Sequence, residues 1–444
     1  MEDLSYLVEL LDKSDSFKKL VHHLKSYQEG YNTINIDGLY PQALAYVLAG
    51  LKSKFKDKTF LLITTTEDSA EDLYNDIKCF LNQNGQDSIF LFKGARIIDK
   101  SCFIEDEIFN FRVSVINALY HAKDKDLFII TSISSILQKL PELSPFKLSV
   151  NQNLSKEELI KELLRLGYEN DSTLSSFGVF TSKGLVIDIF PFGYKSPIRV
   201  EIHYDTIYSI RIIDLYNFRS KKQLNSVFIF SKNEDFGFEK TLFDYLNIDK
   251  KPKLLILNEP EIIKELSNQY LTTTKLTISY DIFFQKIKDF SNKIYFRLLS
   301  STEGSVHFKS SGQIKSRNLK WLLEKVKEYQ KKNYRIFFFS QNPQRLFNLL
   351  EDNNISCQII KSEISSGFIL EEEDLKLLLI KEEALYPLRR RTYLNYEDDD
   401  TKKVIQEEKE SIINPGDYVV HIDHGIGIYK GIVTLQLNDK KRDY

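Results

Sequence analysis

Cysteine is almost absent from this 444-residue chain: Cys79, Cys102 and Cys357 are far apart, odd in number and outside any Cys-x-x-Cys pair. That spacing excludes a disulfide framework and a cysteine zinc cage, and a reducing compartment, the cytoplasm, is expected. Proline and glycine are scarce, at 10 and 17 residues; with 42% hydrophobic and 28% charged residues this is a globular composition, not a disordered or fibrous one. No run of about 18 apolar residues occurs, and acids and lysines are mixed through the N-terminal stretch, so neither a membrane span nor an export signal is read. No sign of charge predominates. The 61 basic and 63 acidic residues leave −2, so any contact with nucleic acid has to be local. Also missing is any Gly-Lys dipeptide, and with it the Gly-x4-Gly-Lys-Ser/Thr loop that cradles phosphates and holds magnesium.

What is present reads as several compact units of the usual ~100–200 residues or less. Over residues 1–145, amphipathic helices (Pro41–Phe55, Ser69–Leu81, Phe109–His121, and a short one ending at Leu140) alternate with apolar strands (Phe60–Thr65, Ile89–Phe92, Leu127–Thr131). That alternation predicts α/β structure around a mainly parallel sheet. Residues 146–225 read as an α+β insert. Ser155 and Glu158 form a capping box before Leu159, Leu163 and Leu164, and Gly167 closes the helix. Strand-like Val179–Thr181, Leu185–Phe190, Ile198–His203 and Ile207–Ile213 follow as an antiparallel meander. Over 226–312, Val227–Phe230 and Lys253–Leu257 are expected to return to the first sheet. Over 313–388, helices Leu319–Tyr329 and Pro343–Leu350 with strands Arg335–Ser340, Cys357–Ile360 and Leu375–Ile380 predict a further α/β unit. Residues 389–414, with Arg389–Arg391 and Glu397–Asp400, read as a charged linker. Residues 415–444 read as the opening strands of a small β-barrel, too few to close it.

Candidate chemistry is sparse. Where a phosphate loop is expected in the first unit the chain has Gly38-Leu39-Tyr40-Pro41-Gln42-Ala43-Leu44, bulky groups that suit a packed helix start. Glu105-Asp106-Glu107 suits the N-terminal end of a helix dipole better than a magnesium site. His421 and His424 would face opposite sides of a strand, against a shared metal. No Gly-x-Ser-x-Gly or comparable nucleophile signature occurs. No catalytic, nucleotide or metal residue is therefore assigned. Within the insert, Lys183, Arg199, His203 and Arg211 fall on successive strands. They are either the ordinary outer residues of a one-sided sheet or a cationic patch with aromatic character, suited to an acidic partner surface.

Lys183-Gly-Leu-Val-Ile-Asp188-Ile-Phe190-Pro191, then Pro197-Ile-Arg199-Val-Glu201 and Asp205-Thr-Ile-Tyr-Ser209-Ile-Arg211, resembles the UvrA-binding module shared by UvrB and the transcription-repair coupling factors (the Mfd family). Pro415-Gly-Asp417 through His421, His424, Gly425, Gly427 and Gly431 resembles the opening of the CarD-like RNA-polymerase-interacting domain of those factors, which UvrB lacks. Together they resemble the N-terminal region of a coupling factor. The resemblance implies a UvrB-like, RecA-like α/β domain with a degenerate phosphate loop, carrying the insert and followed by a further α/β domain. It implies UvrA binding through Arg199, Lys183, His203 and Arg211, and, for an intact protein, contact with the polymerase β subunit and double-stranded DNA. ATP and magnesium would belong to a translocase motor farther along, against which the insert would be masked; polymerase contacts would lie largely beyond Tyr444. Lys183 stands where the family has Arg, and Thr206 where it has Glu, so the planar fork is lost at the first position. A divergent UvrB-like ATP-dependent helicase and a CarD-like transcription regulator are the competing readings.

Overall fold

The computed structural model describes residues 4–26, 32–81, 83–98, 101–103, 105–122, 126–215, 217–232, 239–269, 276–299, 305–314, 319–385, 418–421, 425–428, 430, 434–437 and 440–443. The expected linker at 389–414 and His424 lie outside them. Two compact units result, Met1–Pro387 and Leu388–Tyr444.

The first unit is built on a seven-stranded, all-parallel sheet in the order Val306–His307, Asn32–Asp37, Asn292–Arg297, Lys253–Asn258, Thr59–Thr64, Phe128–Ser132, Ile89–Phe92. Both faces are covered, as a parallel sheet requires. Phe60, Leu62, Leu254 and Ile256 point into one core with helices Pro41–Lys54 and Glu67–Phe80. Leu61, Ile63, Leu255 and Leu257 point into the other, with Asp106–Tyr120 and Tyr280–Lys288. Residues 4–24 add short helices whose Leu7, Leu11, Phe17 and Leu20 seal the first core.

Between Phe128–Ser132 and Lys253–Asn258 the chain leaves to form the insert, a six-stranded sheet ordered Ser220–Leu224, Thr206–Ile213, Ile198–His203, Val186–Phe190, Val179–Lys183, Glu169–Asn170. The expected return of Val227–Phe230 to the first sheet is not what forms. Ser226–Ile229 instead pairs antiparallel with Phe146–Ser149, because the chain enters and leaves the insert side by side and both strands bury apolar groups, Leu148, Val227 and Ile229. This two-stranded neck closes the insert. Its inner face, including Phe180, Ile187, Ile189, Ile198 and Val200, runs into the same core as Leu61 and Ile129.

The third sheet, ordered Ser310–Gly312, Phe368–Glu371, Lys376–Lys381, Arg335–Phe339, Gln358–Ile360, is mixed. Phe337, Phe339 and Leu379 pack toward the helices of the first sheet, while Ile336, Phe338 and Leu378 pack under Leu319–Lys331 and Pro343–Asp352. The regions read from sequence as separate units thus share cores.

In the second unit Tyr418–His421 pairs with Gly425–Ile428, and Thr434–Leu437 with Lys440–Asp443, two hairpins and no barrel among the described residues. Among the described residues no helix is long and apolar enough to cross a membrane.

Candidate functional site

The insert's sheet has one sealed face and one open face, and the residues singled out from sequence fall on the open one. Strand pairing aligns Asp188 with Arg199 and Arg199 with Arg211, so three charges stand in one cross-strand row. Two arginines facing each other would repel. Each is instead matched with an acid. Arg199 donates from Nε to Asp188 Oδ1 at 2.7 Å and from an Nη to Asp188 Oδ2 at 2.8 Å, a bidentate pair. Asp188 is buried, and its carboxylate raises the pKa of the Arg199 guanidinium above its already high value. Arg211 donates to Glu201, whose second oxygen accepts from Ser209 Oγ at 2.7 Å. The buried Nε of Arg211 has no hydrogen-bond partner among the described residues.

The open face is bounded at one end by a small apolar cluster of Leu174, Val179, Phe190 and Ile213. At the other end lie two hairpin turns. Tyr204 and Asp205 have φ of 47° and 56°, the paired positive values of a tight two-residue hairpin, and Gly184 turns at φ 58°. Lys156 Nζ donates to the Gly184 carbonyl at 2.7 Å and the Leu154 amide to the Asp205 carbonyl at 2.8 Å, tying both turns to the start of the capped helix Lys156–Arg165. Leu185 is 55% exposed, Tyr208 67%, and Tyr204 wholly so.

Lys183 is exposed at this end and has no ion-pair partner among the described residues. His203 is exposed too, its ring edge-on to Tyr208 with centroids 5.1 Å apart. The structure therefore divides the four residues. Arg199 and Arg211 sit mid-sheet in a charge-balanced ladder, whereas Lys183 and His203 rim an aromatic tip. Sequence reasoning passed over Tyr208 because a β-bulge after Glu201 pairs Ile207 with Ile202 and Ser209 with Glu201, leaving Tyr208 as the extra residue. Tyr204 had a signal, an aromatic beside Asp205 in a hairpin turn.

The junction of Asn32–Asp37 with Pro41–Lys54 was the other position of interest. Ser310 Oγ donates to the Gly38 carbonyl at 2.8 Å and accepts from the Tyr40 amide at 2.7 Å. Gly38 has φ 78°, and a Cβ there would lie 2.0 Å from the Phe308 carbonyl oxygen. A Cβ on Gly312 would lie 2.8 Å from the ring of Tyr40. Segment 305–312 of this chain thus packs into the mouth of the helix. Glu105 and Asp106 begin Asp106–Tyr120 as N-cap and first residue, and Asp106 pairs with Lys232 at 3.0 Å. Among the described residues no three His, Cys, Asp or Glu side chains gather as metal ligands.

Comparison with known proteins bears on the same regions. Residues 146–234 match the family model of the UvrB interaction domain, and residues 413–444 that of the CarD-like/TRCF RID domain. Transcription-repair-coupling factors of Borreliella burgdorferi and Bacillus subtilis are each 24% identical to the chain, over 99% and 98% of its length. That of Staphylococcus haemolyticus is also 24% identical, over 95%. The chain spans 43–44% of the length of these relatives. A UvrB interaction domain, a CarD-like/TRCF RID segment and similarity along nearly the whole chain make this sequence similar to the N-terminal region of transcription-repair-coupling factors.

Proposed function

We propose that this chain is the recruitment part of a transcription-repair coupling factor acting in the cytoplasm, and that the open face of its inserted sheet binds UvrA. The observation that carries this is the ladder Asp188–Arg199–Arg211–Glu201 beside the exposed tip of Lys183, His203, Tyr204 and Tyr208. A rigid row of guanidinium groups oriented by their own carboxylates loses little freedom on binding, and rings at the rim supply contact area, the usual composition of an interface hot spot. Arg199 is the central residue of the reading, with Lys183, His203 and Arg211 around it.

The segment from residue 413 is proposed to open the domain that meets the RNA polymerase β subunit. Double-stranded DNA, ATP and magnesium are assigned to a translocase motor outside this chain. We read the first unit itself as having no nucleotide site: the helix mouth that would take a phosphate is occupied by Ser310, and Leu39 and Tyr40 fill the turn. That reading disfavours a UvrB-like ATP-dependent helicase.

Titration calorimetry of the chain with UvrA at two salt concentrations tests the proposal. The wild type is expected to bind in a salt-sensitive manner, and Arg199→Ala to weaken binding by ~2 kcal/mol or more. Unchanged affinity in the variant would remove Arg199 from the interface, and no binding by the wild type would remove the face.

A further inference from the structure

The third sheet carries a surface that the UvrA reading does not use. Helix Leu319–Lys331 buries Leu322, Leu323 and Val326 in the core it shares with Leu346 and Leu350 of helix Pro343–Asp352. Its outward side is basic. Residues 319–335 hold Lys320, Lys325, Lys327, Lys331, Lys332 and Arg335 against Glu324 and Glu328, a balance of +4 in a chain whose total is −2. Glu328 is already paired with Lys325 at 2.8 Å.

Two features are not accounted for by helix stability. The macrodipole favours cations in a last turn, which covers Lys331, but disfavours them in a first turn. Lys320 nonetheless occupies the first turn of helix Leu319–Lys331, which has no acid there. Rings are also part-exposed on this layer: Trp321 is 42% exposed, with the Lys325 ammonium 5.7 Å from its ring centroid, and Phe347 is 49% exposed. Trp321 and Phe347 each lie in the N-terminal half of their helix, and both helices pack on the same core. Lys320, Lys327 and Lys331 share one stripe, at a rise of about 1.5 Å per residue about 10 and 6 Å apart along the axis.

We propose that this face binds single-stranded nucleic acid, with Lys320, Lys327 and Lys331 on the phosphodiester backbone and Trp321 as a platform for a base. Charge alone would suit any polyanion. The exposed indole selects a strand with unstacked bases, because base–aromatic stacking needs a π-face that a closed duplex does not offer, and it is tolerant of sequence. The proposal is independent of the reading of the insert.

Trp321 is the single tryptophan of the chain, so intrinsic tryptophan emission reports this face alone. Titrating the whole chain at low salt with an oligothymidylate of about fifteen nucleotides, a length in the range such sites cover, is expected to quench that emission, with affinity falling as salt rises. The triple variant Lys320→Glu, Lys327→Glu, Lys331→Glu, its fold checked by circular dichroism, is expected to bind at least ~10-fold more weakly by fluorescence anisotropy of a labelled strand. Trp321→Ala is expected to lose ~5-fold or more. No binding, binding without a change in Trp321 emission, or equal quenching by a duplex of the same length would each overturn the proposal.

Discussion

The two large sheets of the first unit are built from similar residues and do opposite things with them. In the parallel sheet, central strands such as Thr59–Thr64 are buried at every position, so each side chain is committed to packing. In the inserted sheet, Ile198, Val200 and Ile202 are buried while Arg199, Glu201 and His203 alternate with them on the open side. A sheet covered on both faces can present chemistry only at strand ends. In this chain, one such end is filled by Ser310 and the turn at Gly38. A sheet covered on one face keeps a row free for a partner, and the cross-strand register decides which side chains stand together there.

The comparison breaks most severely if the two sheets do not fold as one. Phe192 is fully buried where they meet, edge-on to Phe109 of the first sheet's helix with centroids 4.9 Å apart. Beside it Gly193 donates to Asn110 Oδ1 at 2.8 Å, and its carbonyl accepts from Asn117 Nδ2 at 3.1 Å. Phe192→Ala is expected to cost ~3–5 kcal/mol in denaturant unfolding. Amide exchange should accelerate in both Thr59–Thr64 and Val186–Phe190. Acceleration confined to the insert would show that the continuous core is not cooperative.

A smaller effect is expected where the first sheet's helix layer meets the third sheet. Asp76 is buried and accepts from the Ser365 amide at 2.7 Å and its hydroxyl at 2.6 Å. Burial pushes the Asp76 carboxyl up to about 6, with neighbouring Asp72 adding to it, while the Ser365 hydrogen bonds and the Lys381 charge pull the other way. Because the folded value lies above the unfolded one, the folded state holds the proton more tightly. The resulting cost is absent below about pH 4 and complete above about pH 6, so stability falls as pH rises through that window, by ~2–3 kcal/mol. Asp76→Asn should flatten this slope in urea titrations at several pH values. An unchanged slope would place the proton elsewhere.

The sequence made some of this legible and hid the rest for physical reasons. Apolar runs marked Thr59–Thr64 and Phe128–Ser132 because central parallel strands are buried throughout. Asn32–Asp37 and Asn292–Arg297 escaped because at least half of the residues in each are polar. Some of those groups are satisfied by partners far away in sequence, Asn35 by Arg297 at 2.7 Å and Asp37 by His307 at 2.8 Å. The insert's meander was readable from alternation and turn residues, and the capping box at Ser155 forms as spaced. Charge pairing was not readable. Asp188 and Glu201 neutralise Arg199 and Arg211 through register across strands, and a single bulged residue, Tyr208, reverses the alternation beyond it.

The smallest expected effect bears most directly on the open face. If Arg199 and Asp188 form an oriented pair, their energies are not additive, and a double-mutant cycle through Arg199→Ala and Asp188→Ala isolates the coupling. Asp188 is nearly buried but Arg199 is about a quarter exposed, so solvent screening places the coupling at ~1–2 kcal/mol, below that of a fully buried pair. Arg199→Ala should be the worse single change for stability, since it strands the nearly buried Asp188 carboxylate, whereas Arg199 without Asp188 is more exposed and still feels Glu201. Repeating the cycle on UvrA affinity separates the two uses of the pair. If Asp188 serves to aim Arg199, Asp188→Ala weakens binding in the wild type and does nothing further once Arg199 is alanine. Additive losses would mean that each side chain meets the partner on its own, and the ladder would then be two contacts instead of one positioned group.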